Sequence, residues 1–120
     1  MYAMNDDLRN AANLLTAGRY LDAANAYRYI HSSQPEHAAM AASQVGAALY
    51  FLRDFNEAIA WYEEAGRRGF DPQMTKDNIQ EAREAMSAPY VPKVGDVVLV
   101  ESGELLEYHP DGTWKPHVSR

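Results

Sequence analysis

A seven-residue pattern that recurs after 35 positions constrains this chain more than any other feature. The two copies are Ala11, Leu14, Gly18, Tyr20, Ala23, Tyr27, Ile30 and Gly46, Leu49, Arg53, Phe55, Ala58, Tyr62, Ala65. Spacings of three and four residues bring the small and large apolar side chains of each copy onto one helix face. The pattern therefore predicts two helix–turn–helix units with turns at Gly18 and Arg53.

Two prolines mark where further helices begin. Pro35 follows Gln34 and Pro72 follows Asp71, and proline is tolerated in the first turn of a helix because its missing N–H needs no partner there. The Asp71 side chain is also of a type that caps free backbone amides. These signals predict five helices, near residues 4–17, 20–32, 36–52, 55–67 and 72–87.

The composition changes near residue 89. All nineteen alanines lie in residues 1–88, whereas the remainder is rich in valine and aromatic residues, which favour strands. We therefore expect a mainly α fold: a helical repeat body of residues 1–88, a proline-containing linker of 89–95 and a β-type tail of 96–120. Strands are expected at 97–101, 105–109 and 113–118, and the unbroken run 97–100 predicts a strand covered on both faces.

Residues 17–24 and 52–65 carry a resemblance to a known family. Each segment has a turn, an aromatic residue and then the alanine of a second helix, and this arrangement resembles the tetratricopeptide repeat. The resemblance covers residues 4–87 and implies two repeats followed by a terminal helix that shields the end of the stack. It also implies a concave groove, lined by the first helix of each unit, that holds an extended segment of a partner protein.

Carried onto this chain, the resemblance assigns ten residues to the groove. They are Leu8, Ala12, Leu15, Ser43, Ala47, Tyr50, Phe51, Asp77, Glu81 and Glu84. The set is apolar and aromatic at one end and acidic at the other, so it would suit a segment with an apolar anchor flanked by lysine or arginine. The alternative is that the apolar members pack internally and the acidic row is a solvated face.

Charge and residue types exclude several classes of function. Eleven basic and seventeen acidic residues give a net charge of −6, which is unfavourable for binding nucleic acid. The absence of cysteine removes thiol chemistry and fits a cytoplasmic protein. We find no motif for a metal or cofactor and expect no enzyme. His109 and His117 could meet across the last hairpin, although exposed strand ends are the simpler interpretation.

The leading hypothesis is therefore a non-enzymatic adaptor that binds a partner protein segment in its groove, with no membrane insertion. One alternative is a small acidic inhibitor or chaperone-like subunit that masks a basic partner surface. Another is a structural subunit of a larger assembly, in which the β-type tail would pair with a second copy of the chain to form a homo-oligomer.

Overall fold

The computed structural model describes residues 5–118 and contains the five predicted helices. They are α1 (Asp6–Thr16), α2 (Tyr20–Ser33), α3 (Ala38–Phe51), α4 (Phe55–Arg67) and α5 (Pro72–Ser87). The predicted start of α3 is two residues early, because Pro35–His37 forms a separate 3₁₀ turn. The ends of the predicted body and tail, residues 1–4 and 119–120, lie outside the described residues.

Side chains cap two of the helices as their sequences require. The Asn5 carboxamide accepts a hydrogen bond from the Leu8 amide at 2.8 Å. At the start of α5 the Asp71 carboxylate accepts one from the Met74 amide at 2.9 Å. Because the first amides of a helix lack intrahelical partners, such bonds fix where it begins. The predicted cap at Asp71 is confirmed.

The repeated small residues bring the helices of each unit close together. Ala11, Ala23 and Ala58 are fully buried, and a Cβ added to Gly46 would lie 2.7 Å from the Tyr62 ring. Glycine at position 46 therefore lets the Tyr62 ring lie directly against the backbone of α3. The core continues along the stack through the buried side chains of Val45, Leu49 and Leu52.

The tail forms a three-stranded antiparallel sheet, as expected. Its strands are β1 (Val97–Leu99), β2 (Leu105–Tyr108) and β3 (Trp114–Pro116), in that order across the sheet. All three are shorter than predicted. The β1–β2 connection already closes at Val100, whose amide donates to the Glu104 carbonyl while its own carbonyl accepts from Gly103.

The sheet packs against the helical body. The Leu99 amide donates a hydrogen bond of 3.0 Å to the Leu52 carbonyl at the end of α3. Val97, Leu99 and Leu105 pack against the core of the body. The β1 side chains are nevertheless half-buried rather than fully enclosed, so the predicted cover on both faces of this strand is incomplete.

Helix α5 shields the end of the stack less completely than its sequence suggested. Ala82 is buried and Ile79 is half-buried, as expected for the face that packs on α4. Met74 and Met86 remain 52% and 45% exposed. About half of each methionine side chain is therefore open to solvent.

Candidate functional site

The ten groove residues lie on α1, α3 and α5, and one contact joins their apolar and acidic parts. The Tyr50 hydroxyl on α3 donates a hydrogen bond of 3.4 Å to the Glu81 carboxylate on α5. Burial and the neighbouring Glu81 charge raise the pKa of Tyr50. The hydroxyl therefore stays protonated at neutral pH and is the donor in this bond. We refer to the ten residues as the groove surface.

The apolar members of the groove surface differ in what they can offer a partner. Leu8, Leu15 and Tyr50 are half-buried and pack partly against the core, so internal packing uses a share of each side chain. Ser43 is only 6% exposed. It is therefore unsuited to a surface contact, because α3 is covered on most sides, with eight of its 14 residues buried. Ala12 and Ala47 are half-buried.

Phe51 is the most exposed aromatic side chain of the groove surface, at 53%. Its ring stacks on Tyr20 with centroids 4.9 Å apart and meets the Tyr50 ring edge-on at 5.6 Å. Tyr50 in turn meets Phe55 edge-on at 5.6 Å. These contacts fix the orientation of Phe51 while half of its surface stays open to solvent, which suits a preformed apolar anchor site.

The acidic members lie exposed along α5. Asp77 accepts a hydrogen bond from Gln73 and Glu84 accepts one from Gln80, both at 2.9 Å and both within the same helix. Within residues 5–118, no lysine, arginine or histidine forms an ion pair with Asp77, Glu81 or Glu84. The three carboxylates are therefore exposed without a direct ion-pair partner in the described part of the chain.

A cleft of about 570 Å³ lies beside the groove surface, between the turns of the two units and the tail. Its walls include Tyr20, Phe51, Arg53, Tyr90 and Asp96. Sequence alone does not reveal this cleft, because it is formed by residues of both turns together with distant residues of the C-terminal part. The one available signal in the sequence was that Arg53 occupies, in the second copy of the repeat, the position that Gly18 occupies in the first.

Arg53 connects the body with the linker, whose Tyr90 is bonded in turn to Asp96 at the start of the tail. Its guanidinium carbon lies 3.6 Å from the Tyr90 ring centroid and 4.9 Å from that of Phe55. The Tyr90 hydroxyl donates to the Asp96 carboxylate at 2.9 Å. Burial, followed by this bond, raises the pKa of Tyr90 to about 12. The bond to the Lys93 amide, followed by that to Tyr90, lowers the pKa of Asp96.

In two other clusters, ionisable side chains bond to one another, and each cluster is centred on a glutamate. Glu64 on α4 accepts hydrogen bonds from Arg68 at 2.8 Å and Arg67 at 3.2 Å and contacts His31 Nε2 at 2.9 Å. The bonds from Arg68 and then His31 lower the pKa of Glu64 to about 2. The two arginines lie on the same helix as Glu64, whereas His31 comes from the other unit.

In the tail, Glu107 lies between the two histidines of the last hairpin. Its carboxylate is 2.8 Å from His117 Nδ1 and 3.8 Å from His109 Nε2. The interpretation of His109 and His117 as simple exposed strand ends is therefore wrong, since both are half-buried and share this carboxylate. Among the residues that the structure describes, no three histidine or carboxylate groups are arranged to hold a metal ion.

Comparisons with protein-family models, curated proteins and solved structures returned no match. Membership of the tetratricopeptide family therefore remains a prediction from residues 17–24 and 52–65. In the described part of the chain, no helix combines the length and the apolar character needed to cross a membrane.

Proposed function

We propose that this chain is a non-enzymatic interaction module of tetratricopeptide type that binds a segment of a partner protein on its groove surface. The observation that carries the proposal is the hydrogen bond between Tyr50 and Glu81. It joins the exposed aromatic anchor site at Phe51 to the unpaired acidic row of α5, so one bound segment could contact both.

The chemistry of the groove surface defines the partner. An apolar side chain would pack against Phe51 and Tyr50, where large rings supply contact area at little entropic cost. Lysine or arginine next to that side chain would lie along Asp77, Glu81 and Glu84. These carboxylates have no ion-pair partner within residues 5–118, so a basic segment would gain complementary charges without displacing existing ones.

Charge alone would instead favour a module that masks a basic surface, as an inhibitor or chaperone-like subunit does. The two candidates differ in what Phe51 contributes, because a masking surface has no need for an oriented aromatic side chain. The half-open ring on Tyr20 supports the groove proposal over masking. The absence of cysteine supports a cytoplasmic location for either function.

Self-association through the tail is the less favoured proposal. In an open edge strand the outward backbone groups are available to a second chain. Here the Leu99 amide is already bonded to the Leu52 carbonyl of the same chain. Pro116 removes a backbone donor from β3 at the other edge. A mass of one protomer across the micromolar range would exclude the homo-oligomer.

The test is capture of the partner from native lysate with three versions of the full chain, followed by mapping of the bound segment. The double variant Tyr50→Ala/Phe51→Ala is expected to lose the partner. The matched control is Tyr29→Ala, because Tyr29 is a 61% exposed tyrosine outside the groove surface. Circular dichroism confirms that all three are folded.

Two outcomes would contradict the groove proposal. A partner that the double variant retains would bind the tail or the convex face. A partner whose association rate falls steeply with salt, but whose affinity is insensitive to the loss of both rings, would fit the masking function.

A further inference from the structure

Arg53 adopts a backbone conformation that favours glycine. Its φ is 62°, and among residues 5–118 it is the one residue other than glycine with a positive φ. The residue 35 positions earlier, in the turn of the first unit, is Gly18 with a φ of 77°. A side chain with a Cβ is strained in this region. The presence of arginine therefore suggests that its side chain contributes something that offsets the strain.

The Arg53 side chain lies between two aromatic rings at the cleft. Its guanidinium is 3.6 Å from the Tyr90 ring and 4.9 Å from the Phe55 ring. Stacking occupies the face of a guanidinium and leaves the N–H donors at its edge available. Within residues 5–118, no side chain or carbonyl accepts a hydrogen bond from this guanidinium and no carboxylate forms an ion pair with it.

The other charged side chains of the cleft already have partners. Arg19 and Asp22 form an ion pair at 2.6 Å. Asp96 accepts hydrogen bonds from the Tyr90 hydroxyl and the Lys93 amide, both at 2.9 Å. Arg53 is therefore the cationic group of the cleft that is oriented, half-buried and without an acceptor.

We propose that the cleft binds a carboxylate attached to an apolar group. The Arg53 guanidinium donates to the carboxylate, whose two oxygens match its planar fork, and the rings of Tyr20 and Phe51 contact the apolar part. The volume of about 570 Å³ is within the size range of ligand pockets. This site lies beyond the proposed groove function: it shares Tyr50 and Phe51 with the groove surface but does not involve its acidic row.

The test uses small probes and the whole, isotopically labelled chain in solution NMR. N-acetylphenylalanine carries the carboxylate and N-acetylphenylalaninamide is its neutral counterpart. We expect the carboxylate to shift the Arg53 Nε–Hε signal and the amides of Leu52 and Gly95 saturably. We expect it to bind about tenfold more tightly than the amide, as one charge-assisted hydrogen-bonded pair provides.

A third probe distinguishes the two sources of a carboxylate. N-acetyl-aspartyl-phenylalaninamide offers a side-chain carboxylate and no free C-terminus. Tighter binding of this probe than of N-acetylphenylalanine would identify an internal acidic residue as the ligand. The reverse order would identify the C-terminal end of a protein.

Variants of Arg53 separate its role in binding from its role in holding the tail. Arg53→Gly restores the residue type of Gly18 and is expected to weaken N-acetylphenylalanine binding about tenfold. Arg53→Lys keeps the charge but not the planar fork, so it is expected to give an intermediate affinity. The control Arg28→Gln removes a guanidinium that also lies over an aromatic ring, that of Trp61, but does not line the cleft, and it should change the affinity by less than about twofold. The Leu99 amide signal reports whether the tail remains packed on the body.

Three results would overturn this proposal. They are equal affinity for carboxylate and amide, equal weakening in Arg53→Gly and Arg28→Gln, and no saturable shift at the cleft amides. None of them bears on partner capture through the groove surface, so the failure of one proposal is distinguishable from the failure of the other.

Discussion

The two helix–turn–helix units have similar turns but fill them with different residues. Gly18 and Arg53 both adopt a positive φ, of 77° and 62°. A Cβ at Gly18 would contact nothing within 4 Å, whereas the Arg53 side chain stacks on Tyr90 of the linker. The first unit thus achieves this backbone geometry with glycine and without strain, whereas the second achieves it with an arginine whose side chain contacts the linker.

The interiors of the units differ in the same sense. Unit one carries Ala11 where unit two carries Gly46, and at Gly46 the Tyr62 ring lies so close to the backbone that an added Cβ would be 2.7 Å from it. Unit two also receives the sheet, through Leu52 and Leu99. Two such units are few for a stable repeat array. Both α5 and the sheet therefore pack on the second unit.

The largest effect is expected from a side chain added at Gly46. Gly46→Leu should destabilise the fold by about 3 kcal/mol, because the Tyr62 ring leaves no room beyond the backbone and overpacked cores relax poorly. Urea unfolding measures it. Ala60→Leu places the same side chain at an exposed position of α4 and should change stability by less than about 0.5 kcal/mol. Equal unfolding midpoints for the two variants would show that the helix contact at position 46 is no more tightly packed than the exposed position 60.

The next effect tests whether the tail stabilises unit two. Leu99→Ala should cost about 2 kcal/mol, at the low end of the range for leucine truncation because Leu99 is half-buried. Val98→Ala is the control, since Val98 is on the same strand but outside the packing against the core, and should cost less than about 1 kcal/mol. Equal losses in chemical denaturation would mean that the tail contributes to its own sheet and not to the body.

A smaller, pH-dependent effect is expected at Glu64, which links the two units through His31. The pKa of Glu64 is lowered to about 2, so its stabilising contribution is present above the unfolded pKa of about 4.3 and is lost as the pH falls towards 2. Glu64→Gln should therefore cost about 1 kcal/mol at pH 6, after allowance for solvent screening. At pH 2.5 the difference in unfolding free energy between the wild type and Glu64→Gln should be mostly lost. A difference that does not change with pH would show that it does not arise from the ionised carboxylate.

The smallest effect is expected from exchanging the two turn residues. In Arg53→Gly, relief of backbone strain offsets the lost ring contacts, each of which is worth about 0.5–1 kcal/mol, so stability should change by less than about 1 kcal/mol. Gly18→Arg introduces the strain without a ring to stack on and should cost about 1 kcal/mol. Thermal unfolding of both variants makes the comparison, and equal costs would remove the distinction between the turns.

The helical body could be predicted from the sequence because its signals are local. The spacing of three and four residues inside each copy of the repeat, the Asp71 cap and the two prolines each act over a few residues. The five helices that they predict are all present. The strands were predicted too long. Their ends depend on where Val100 pairs with Glu104, a matter of loop closure rather than of strand propensity.

The cleft could not be predicted because it depends on contacts between distant residues. Nothing near Arg53 in the sequence indicates that Tyr90 lies on its guanidinium, and nothing near Leu52 indicates that its carbonyl accepts from Leu99. Among the groove residues, spacing correctly identified Asp77, Glu81 and Glu84 as exposed. It failed at Ser43, since helical periodicity gives the face of a residue but not how deeply the neighbouring helices cover it.

The central claim, that the groove surface binds a partner segment through an aromatic anchor and an acidic row, is tested most directly by calorimetric titration of the captured segment. We expect Tyr50→Ala to weaken binding by about 1 kcal/mol or more and Glu81→Gln to weaken it in a salt-dependent way, with Tyr29→Ala unchanged. Affinities that are equal for all four proteins would contradict the account.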